Sequence, residues 1–316
     1  MNSRSFLAGL LTCLASVAAL AAGVESVRPA QIFESGLKKE DFPRWQQIGS
    51  NVYIYEGLHA LDPTGAVFTT VTLVVVTNEG VVVVDGQGSV PASESLIARI
   101  KQVTPQPIKY VVVASDHGDH TGGNAAFKTV YPEVVFIGSP VSQQRLAKSA
   151  TVLTRVVTDR ETIRLGGTEI QLLSLGRAHT GGDLVAYLPD SKVLFMSEVY
   201  LRGLFPAMRT AYPSEWLATI DQALAMDVSL YIPGHGFTDE PAAMKRDLVE
   251  SRKAIEYVIA EAKRLQAAGY TCESAANCPA AEKANWGPYT KWTARTSQAP
   301  VALAKVYQEI AGKLPD

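Results

Sequence analysis

Four of the five histidines in this 316-residue chain follow short apolar runs, where predicted strands give way to loops. His117 and His120 come just after the run Val-Val-Val-Ala at residues 111–114. His179 lies in the segment GRAHTGGD, and His235 lies in PGHG. Neutral imidazoles beside carboxylates are ligands that suit Zn²⁺. Four placements of this kind in one chain predict that the fold brings its strand ends together around a metal site.

The pattern of apolar residues predicts strands and hairpins mixed with helices. Residues 71–86, VTLVVVTNEGVVVVDG, predict a β-hairpin that turns at an Asn-Glu-Gly sequence. Residues 110–114 form a continuous apolar run, which is typical of a strand buried on both faces. The predicted helices cover residues 93–103, 215–224, 240–268 and 301–312. Together these elements predict a layered α/β or α+β fold.

The start of the chain has the features of an export signal. Arg4 precedes an apolar segment at residues 6–18, and Ala-Leu-Ala at residues 19–21 fits a small-x-small cleavage site. The segment is short for a membrane span, so residues 1–21 are predicted to be a cleaved signal peptide. We therefore expect a secreted or periplasmic protein without a stable membrane anchor.

The net charge bears on the expected partners, and the cysteine content bears on a possible disulfide. The 31 acidic and 29 basic residues give a net charge of −2, which provides no reason to expect nucleic acid as a partner. A small-molecule substrate is expected, and the oligomeric state is left open. In an exported chain, Cys272 and Cys278 predict one local disulfide, with two free thiols as the alternative.

Residues 115–123, SDHGDHTGG, resemble the His-x-His-x-Asp-His and Gly-Gly signature of the metallo-beta-lactamase fold superfamily. HTGGDLVAYLPDSKVLFMSE and YIPGHG are similar to later histidine segments of that family, and NEGVVVVDG to its hairpin. The resemblance implies a four-layer αββα sandwich with two mixed sheets and metals in a groove at one edge. We expect an N-terminal extension at 22–44, the metallo-beta-lactamase-like domain at 45–240, and a C-terminal helical extension at 241–316 packed on the same domain.

The resemblance also implies the metal ligands, with two departures from the family pattern. One site would use Ser115, His117 and His179, and the other would use Asp119, His120 and His235. Glu198 lies where many members have a bridging Asp. Because Ser115 replaces a histidine and a neutral hydroxyl is a poor zinc ligand, we expect one firmly bound Zn²⁺ and a second that is weak or absent.

Three hypotheses could explain a serine at position 115, two for its own role and one in which Asp116 supplies the ligand. Ser115 could act as a nucleophile, although no strained Gly-x-Ser-x-Gly turn surrounds it. It could hydrogen-bond a metal-bound water, which is the favoured hypothesis. Alternatively, Asp116 could replace the missing ligand, but strand alternation favours a carboxylate that points away from the metals.

His59 lies in residues 58–67, which match a mobile substrate loop of the family. Its side chain would either line the groove and contact substrate or, as the favoured alternative, remain an exposed loop histidine. The sequence offers no metal-binding neighbour for it.

The expected function is that of an exported zinc-dependent hydrolase, in which metal-bound hydroxide attacks a carbonyl group of a lactam, lactone, ester or thioester. Asp119 would orient the attacking group, with Ser115 beside it. The alternatives are an iron-dependent redox enzyme of the same fold and a catalytically impaired member that binds metal or ligand.

Overall fold

The computed structural model describes residues 27–61, 65–149 and 151–315. The predicted signal peptide at residues 1–21 lies outside the described residues. No helix among the described residues is both long enough and apolar enough to cross a membrane.

The described strands form two sheets. The first sheet has seven strands in the order β1-β2-β3-β4-β5-β6-β7, antiparallel from β1 to β4 and parallel from β4 to β7. These strands are β1 Arg44–Gln47, β2 Val52–Leu61, β3 Ala66–Thr77, β4 Gly80–Val84, β5 Ile108–Val113, β6 Val135–Gly138 and β7 Arg155–Val156. The second has five strands in the order β12-β11-β10-β9-β8, and only β11 and β12 are parallel. They are β8 Arg160–Leu165, β9 Thr168–Leu173, β10 Val185–Leu188, β11 Val193–Phe195 and β12 Leu230–Ile232.

The helices cover the outer faces of the two sheets. They are α1 Val90–Val103, α2 Gly118–Thr121, α3 Ala125–Val130, α4 Pro140–Leu146, α5 Pro213–Ala225, α6 Pro241–Ala267, α7 Pro279–Glu282 and α8 Arg295–Ile310. Apolar side chains of α1 and α3 pack on the first sheet, and those of α5, α6 and α8 pack on the second.

Strand β4 shows why the valine run forms a sandwich. Successive side chains of a strand point to opposite faces. Val82 and Val84 therefore enter the core between the sheets, while Val81 and Val83 pack toward the helices. All four are fully buried, so a strand covered on both faces has an apolar residue at each position. The predicted four-layer αββα sandwich with two mixed sheets is confirmed.

The two sheets place their chemistry at one edge. Residues 115–120 follow β5, Glu198 comes three residues after β11, and His235 comes three residues after β12. An isolated bridge pairs Thr70 of β3 with His235, and a second pairs Leu201 with His235. The loops after strands of both sheets therefore meet at a single place.

Two predicted element boundaries are wrong. The expected loop at 58–67 is largely strand, because β2 and β3 stay paired as far as Leu61 and Ala66. The last helix begins at Arg295 rather than at residue 301. Pro300 lies inside its second turn, although proline ordinarily interrupts a helix. In both cases the observed strand or helix is longer than predicted and reaches closer to the edge that carries the histidines.

The C-terminal segment packs against the second sheet. The apolar stripe of α6 is buried, including Met244, Leu248 and Ile255, and α8 lies beside it. The predicted disulfide between Cys272 and Cys278 is present. Residues after 240 thus share a core with the rest of the chain.

Replacing Leu73 by Ala is expected to lower the free energy of unfolding of the metal-free protein by about 2–5 kcal/mol, because a fully buried leucine leaves a cavity between the sheets. Urea denaturation followed by circular dichroism measures the change. Val152→Ala is the control, since that side chain is 58% exposed and its loss should cost less than about 0.5 kcal/mol. Equal effects of the two substitutions would contradict the assigned core.

Candidate metal centre

A short helix directly after β5 positions the first ligands. His117 is the residue before α2, and Asp119 and His120 lie within its single turn. Gly118 has open space around its α-carbon, and Gly122 is packed so closely against the backbone of Gly88 that a β-carbon would not fit. Gly122, unlike Gly118, is therefore required for close packing, because it lets this segment contact the loop after β4 beneath the site.

Asp119, His120, His235 and Glu198 form one group of possible metal ligands. Nε2 of His235 lies 3.1 Å from Oδ2 of Asp119 and 3.4 Å from Oε1 of Glu198. Nε2 of His120 lies 3.3 Å from Nε2 of His235 and 3.7 Å from Oδ2 of Asp119. His120 and His235 are buried, whereas Asp119 is partly exposed.

His117, His179 and Glu198 form a second group. Nδ1 of His117 lies 2.9 Å from Oε2 of Glu198, and Nε2 of His179 lies 3.1 Å from Oε1. Glu198 is thus common to both groups, with one oxygen toward His117 and the other toward His179 and His235. The bridging role that the sequence suggested for Glu198 stays a prediction, and its membership of both groups is compatible with that role.

Three of the four imidazoles have a partner on the nitrogen that faces away from the centre. Nδ1 of His235 lies 2.8 Å from the carbonyl oxygen of Thr69, and Nε2 of His117 lies 3.1 Å from Oγ1 of Thr210. Nδ1 of His120 lies 3.0 Å from Oδ2 of Asp85, in an ion-pair contact whose angle is poor for a hydrogen bond. Such partners fix ring orientation and leave the inner nitrogen free to bind a metal.

His179 is held differently. Its Nδ1 is buried without a hydrogen-bond partner among the described residues, and its ring packs edge-on against Trp216 with centroids 5.2 Å apart. Trp216 itself donates a hydrogen bond to the carbonyl of Val199, one residue beyond Glu198. Packing rather than a polar partner therefore orients this imidazole.

Burial and charge oppose each other in the metal-free site. Burial lowers the pKa of His120, but the carboxylates of Asp85 and Asp119 outweigh it and raise the pKa to about 9. The same balance, with Asp119 and Glu198 as the carboxylates, raises the pKa of His235 to about 10. Burial of His179 prevails over Glu198 and lowers its pKa.

The pKa values of the Glu198 and Asp119 carboxylates are lowered by their interactions with neighbouring histidines. Burial alone would raise the pKa of Glu198, but His179 and His117 hold it well below its usual range. For Asp119, His120 and His235 outweigh burial and likewise lower the pKa. Both carboxylates are therefore ionised at neutral pH and depend on neighbouring positive charge.

Ser115 is fully buried, and its hydroxyl donates a hydrogen bond to Oε2 of Glu198. The sequence favoured a metal-bound water as the partner of this hydroxyl, which stays a prediction, and the protein group that accepts its hydrogen bond is the Glu198 carboxylate. The backbone N–H of Ser115 donates a hydrogen bond to Oδ1 of Asp85 at 3.3 Å. Ser115 therefore contacts a ligand from behind and is not among the residues that line the cavity described below.

Asp116 points away from the centre, as strand alternation indicates. Its carboxylate accepts hydrogen bonds from Arg145, at 3.1 and 3.3 Å, and from Ser142 at 3.4 Å. The structure gives no support for Asp116 as a substitute ligand.

His59 lies on β2 with its ring centroid 5.2 Å from that of Phe68 and 6.2 Å from that of His235. Burial lowers its pKa. It lines the cavity over the metal ligands and is not in either ligand group. A half-buried strand residue therefore stands where the sequence favoured an exposed loop.

Sequence reasoning did not find Asp85 or Thr210. Asp85 ends the valine run of β4, has a left-handed backbone with φ of 61°, and is buried. An acid that directly follows four buried valines was a detectable signal for a structural carboxylate. Thr210 is in an irregular segment with no pattern, and only the structure shows its hydroxyl between the His117 ring and the carbonyl of His179.

A cavity of about 340 Å³ opens over the ligands. One side is formed by His117, Asp119, His179, Glu198 and His235. Much of the rest is apolar and includes Phe68, Leu201, Leu204, Phe205 and Val301. Most ligand sites in proteins have this composition of apolar walls with a few polar groups.

The donor set fits divalent metal ions. Within each group the ligand atoms lie within 4.8 Å of one another, and the donors are imidazole nitrogens and carboxylate oxygens. The carboxylates of Asp119 and Glu198 carry negative charge that the neighbouring imidazoles balance only by taking up protons. Cations bound by both groups would replace those protons, which is the usual coupling of metal binding to proton release.

A family model for the metallo-beta-lactamase superfamily matches residues 64–235, more than half of the chain. The chain belongs to this superfamily, whose members are mostly hydrolases and bind divalent metals, usually zinc.

Individual relatives are distant. The chain is 25% identical to the alpha subunit of 2,4-dinitroanisole O-demethylase from Nocardioides sp. (strain JS1661) over 52% of either chain, so it spans about half the length of that relative. It is 23% identical to a metallo-beta-lactamase type 2 from Bacillus sp. (strain 170), covering 72% of this chain and 90% of that one. A solved metallo-beta-lactamase from Pontibacter korlensis superposes with a TM-score of 0.60 at 23% identity, over 66% of this chain and 98% of that chain. These likenesses establish the fold.

His235→Ala is expected to lower the zinc content of the protein by one ion per chain, since His235 is the ligand that contacts both Asp119 and Glu198. Elemental analysis after dialysis against a zinc buffer measures the stoichiometry. His59→Ala is the matched control and should keep the wild-type content. Unchanged zinc in His235→Ala would refute the assigned site.

Ser115→His alone is not expected to raise the zinc content of the protein. It is expected to destabilise the fold. The fully buried site beside Glu198 has no room for an imidazole. Shortening the carboxylate in Ser115→His with Glu198→Asp should relieve the conflict and bind more zinc than Ser115→His alone. Elemental analysis and thermal unfolding of both variants test this. A single variant that binds as much zinc as the double variant would contradict it.

Proposed function

We propose that this chain is an exported zinc-dependent hydrolase that cleaves a carbonyl-linked bond of a small molecule. The observation that carries the proposal is the meeting of two ligand groups at Glu198, directly beneath a cavity large enough for a substrate. Lactams, lactones, esters and thioesters are the substrate classes considered. The Bacillus relative named as a metallo-beta-lactamase supports hydrolysis as the reaction class.

His120, His235 and Asp119 would hold one zinc ion, and His117 and His179 the other, with Glu198 shared. Glu198 would supply the second group with a third protein donor where Ser115 cannot, so this group would bind an ion more firmly than a Ser-containing triad. When bound, zinc lowers the pKa of water and polarises a carbonyl oxygen.

The residues of the chain supply orientation and proton transfer. Asp119 is the partly exposed carboxylate of the cavity, so it can accept a proton from attacking water and return it to the leaving group. Thr69, Asp85 and Thr210 keep the imidazoles in fixed orientations during the reaction. The apolar wall excludes bulk water, which strengthens electrostatic interactions within the site.

Export is proposed from the charge-poor N-terminal segment and from the disulfide. A bridge between Cys272 and Cys278 persists in oxidising compartments such as the periplasm. Zinc acquisition and catalysis would then take place outside the cytoplasm.

A panel of lactams, lactones, aryl esters and thioesters, assayed with protein of known zinc content, tests the function. Asp119→Asn is expected to lower kcat/KM by about 10²–10⁴-fold, because the variant loses both a ligand charge and the proton acceptor. The matched control is Asp116→Asn, whose carboxylate faces Arg145 and should leave kcat/KM within about twofold of wild type. No hydrolysis of any class by zinc-loaded protein would refute the proposal.

A further inference from the structure

One wall of the cavity comes from a part of the chain that lies beyond the matched family region. Ala294, Gln298 and Val301 line the cavity, and they are spaced four and three residues apart at the start of α8. This spacing places them on a single helical face. The family model ends at residue 235, so α8 adds this face to the common domain.

The wall is fixed to the rest of the site by backbone hydrogen bonds. The N–H of Phe205 donates to the carbonyl of Thr293 at 2.9 Å, and the N–H of Thr293 donates to the carbonyl of Gly203 at 3.3 Å. Leu201, Leu204 and Phe205 line the cavity from this same segment. The segment after Glu198 and the start of α8 therefore form one continuous surface.

Packing holds α8 in place from its other side. Ala299, Ala302, Leu303 and Val306 are buried in the core shared with α6. Phe205 packs edge-on against Trp286, with ring centroids 5.0 Å apart. The cavity face of α8 is thus preorganised, and a ligand does not have to order it on binding.

This surface is mostly apolar, with two polar side chains in the lining, the amide of Gln298 and the guanidinium of Arg209. Leu201, Leu204, Phe205, Ala294 and Val301 offer only hydrocarbon surface to the cavity. The side-chain amide of Gln298 makes no hydrogen bond to another described residue, although it lies in the same lining. A ligand that covered the apolar groups would also bring a polar atom within reach of this amide.

Resting on the hydrolase function proposed above, we infer that α8 is the wall that selects the substrate, and that it selects an ester or thioester with an alkyl acyl chain of several carbons. The acyl chain of the substrate lies along Val301, Ala294 and the 201–205 segment. The Gln298 amide forms a hydrogen bond to the substrate beside the scissile group. Small polar acyl groups leave the apolar wall in contact with water and are poor substrates.

The test is the hydrolysis of p-nitrophenyl esters with acetyl, butyryl, hexanoyl and octanoyl groups by zinc-loaded protein. Each methylene buried up to hexanoyl should raise kcat/KM by up to about fourfold, the equivalent of 0.8 kcal/mol per buried CH₂. Val301→Phe fills the wall and should lower the hexanoyl-to-acetyl ratio of kcat/KM about tenfold or more, at unchanged zinc content. Val152→Phe, on an exposed side chain, should retain the wild-type ratio.

Gln298→Ala should raise KM for the hexanoyl ester, whereas Gln308→Ala on the same helix, outside the cavity lining, should not. A flat dependence on acyl length, or Val301→Phe behaving as Val152→Phe does, overturns the assignment of α8 as the selecting wall.

Binding of alkyl hydroxamates separates this inference from the function on which it rests. Calorimetry of acetohydroxamate through octanohydroxamate with zinc-loaded protein needs no turnover. Suppose longer tails bind more tightly, Val301→Phe removes this effect, and wild type hydrolyses no lactam, lactone, ester or thioester. That result would support the wall and refute the hydrolase. Hydrolysis together with tail-independent binding would keep the hydrolase and refute the wall.

Discussion

The carboxylate of Glu198 is the contact on which the geometry of the centre depends. It is almost fully buried, and its two oxygens lie within 3.5 Å of His117, His179 and His235. A negative charge at this depth is tolerated because imidazoles surround it and because Ser115 donates a hydrogen bond to it. Ser115 and Glu198, the two positions at which the sequence predicted departures from the family pattern, are therefore in direct contact.

Much of the fold was predictable from local patterns. The valine runs of β3 and β4 are short, β-branched and bounded by turn residues, which favours buried strands, and the stripe on α6 favours an amphipathic helix. The boundaries that failed depend on tertiary contacts. Residues 58–61 extend β2 because β3 continues beside them, and α8 continues through Pro300 because its apolar face is packed on α6.

The site was predictable to a similar depth. The four imidazoles and Asp119 could be listed from the sequence because they lie in loops after predicted strands and resemble the family motif, and Glu198 because it lies where many members have Asp. The contact between Ser115 and Glu198 joins residues 83 positions apart, and no local rule links them. The cavity wall was likewise out of reach, since the face of α8 that lines it has the same spacing as an ordinary buried stripe.

Asp85 joins the two sheets as well as supporting a ligand. It accepts a hydrogen bond from the N–H of Ala114 at 2.8 Å at the end of β5, and one from the hydroxyl of Ser197 at 2.5 Å after β11. Its second oxygen also lies beside His120. Sliding of one sheet over the other would therefore pull on an imidazole at the centre. One buried side chain therefore couples the relative position of the two sheets to the orientation of His120.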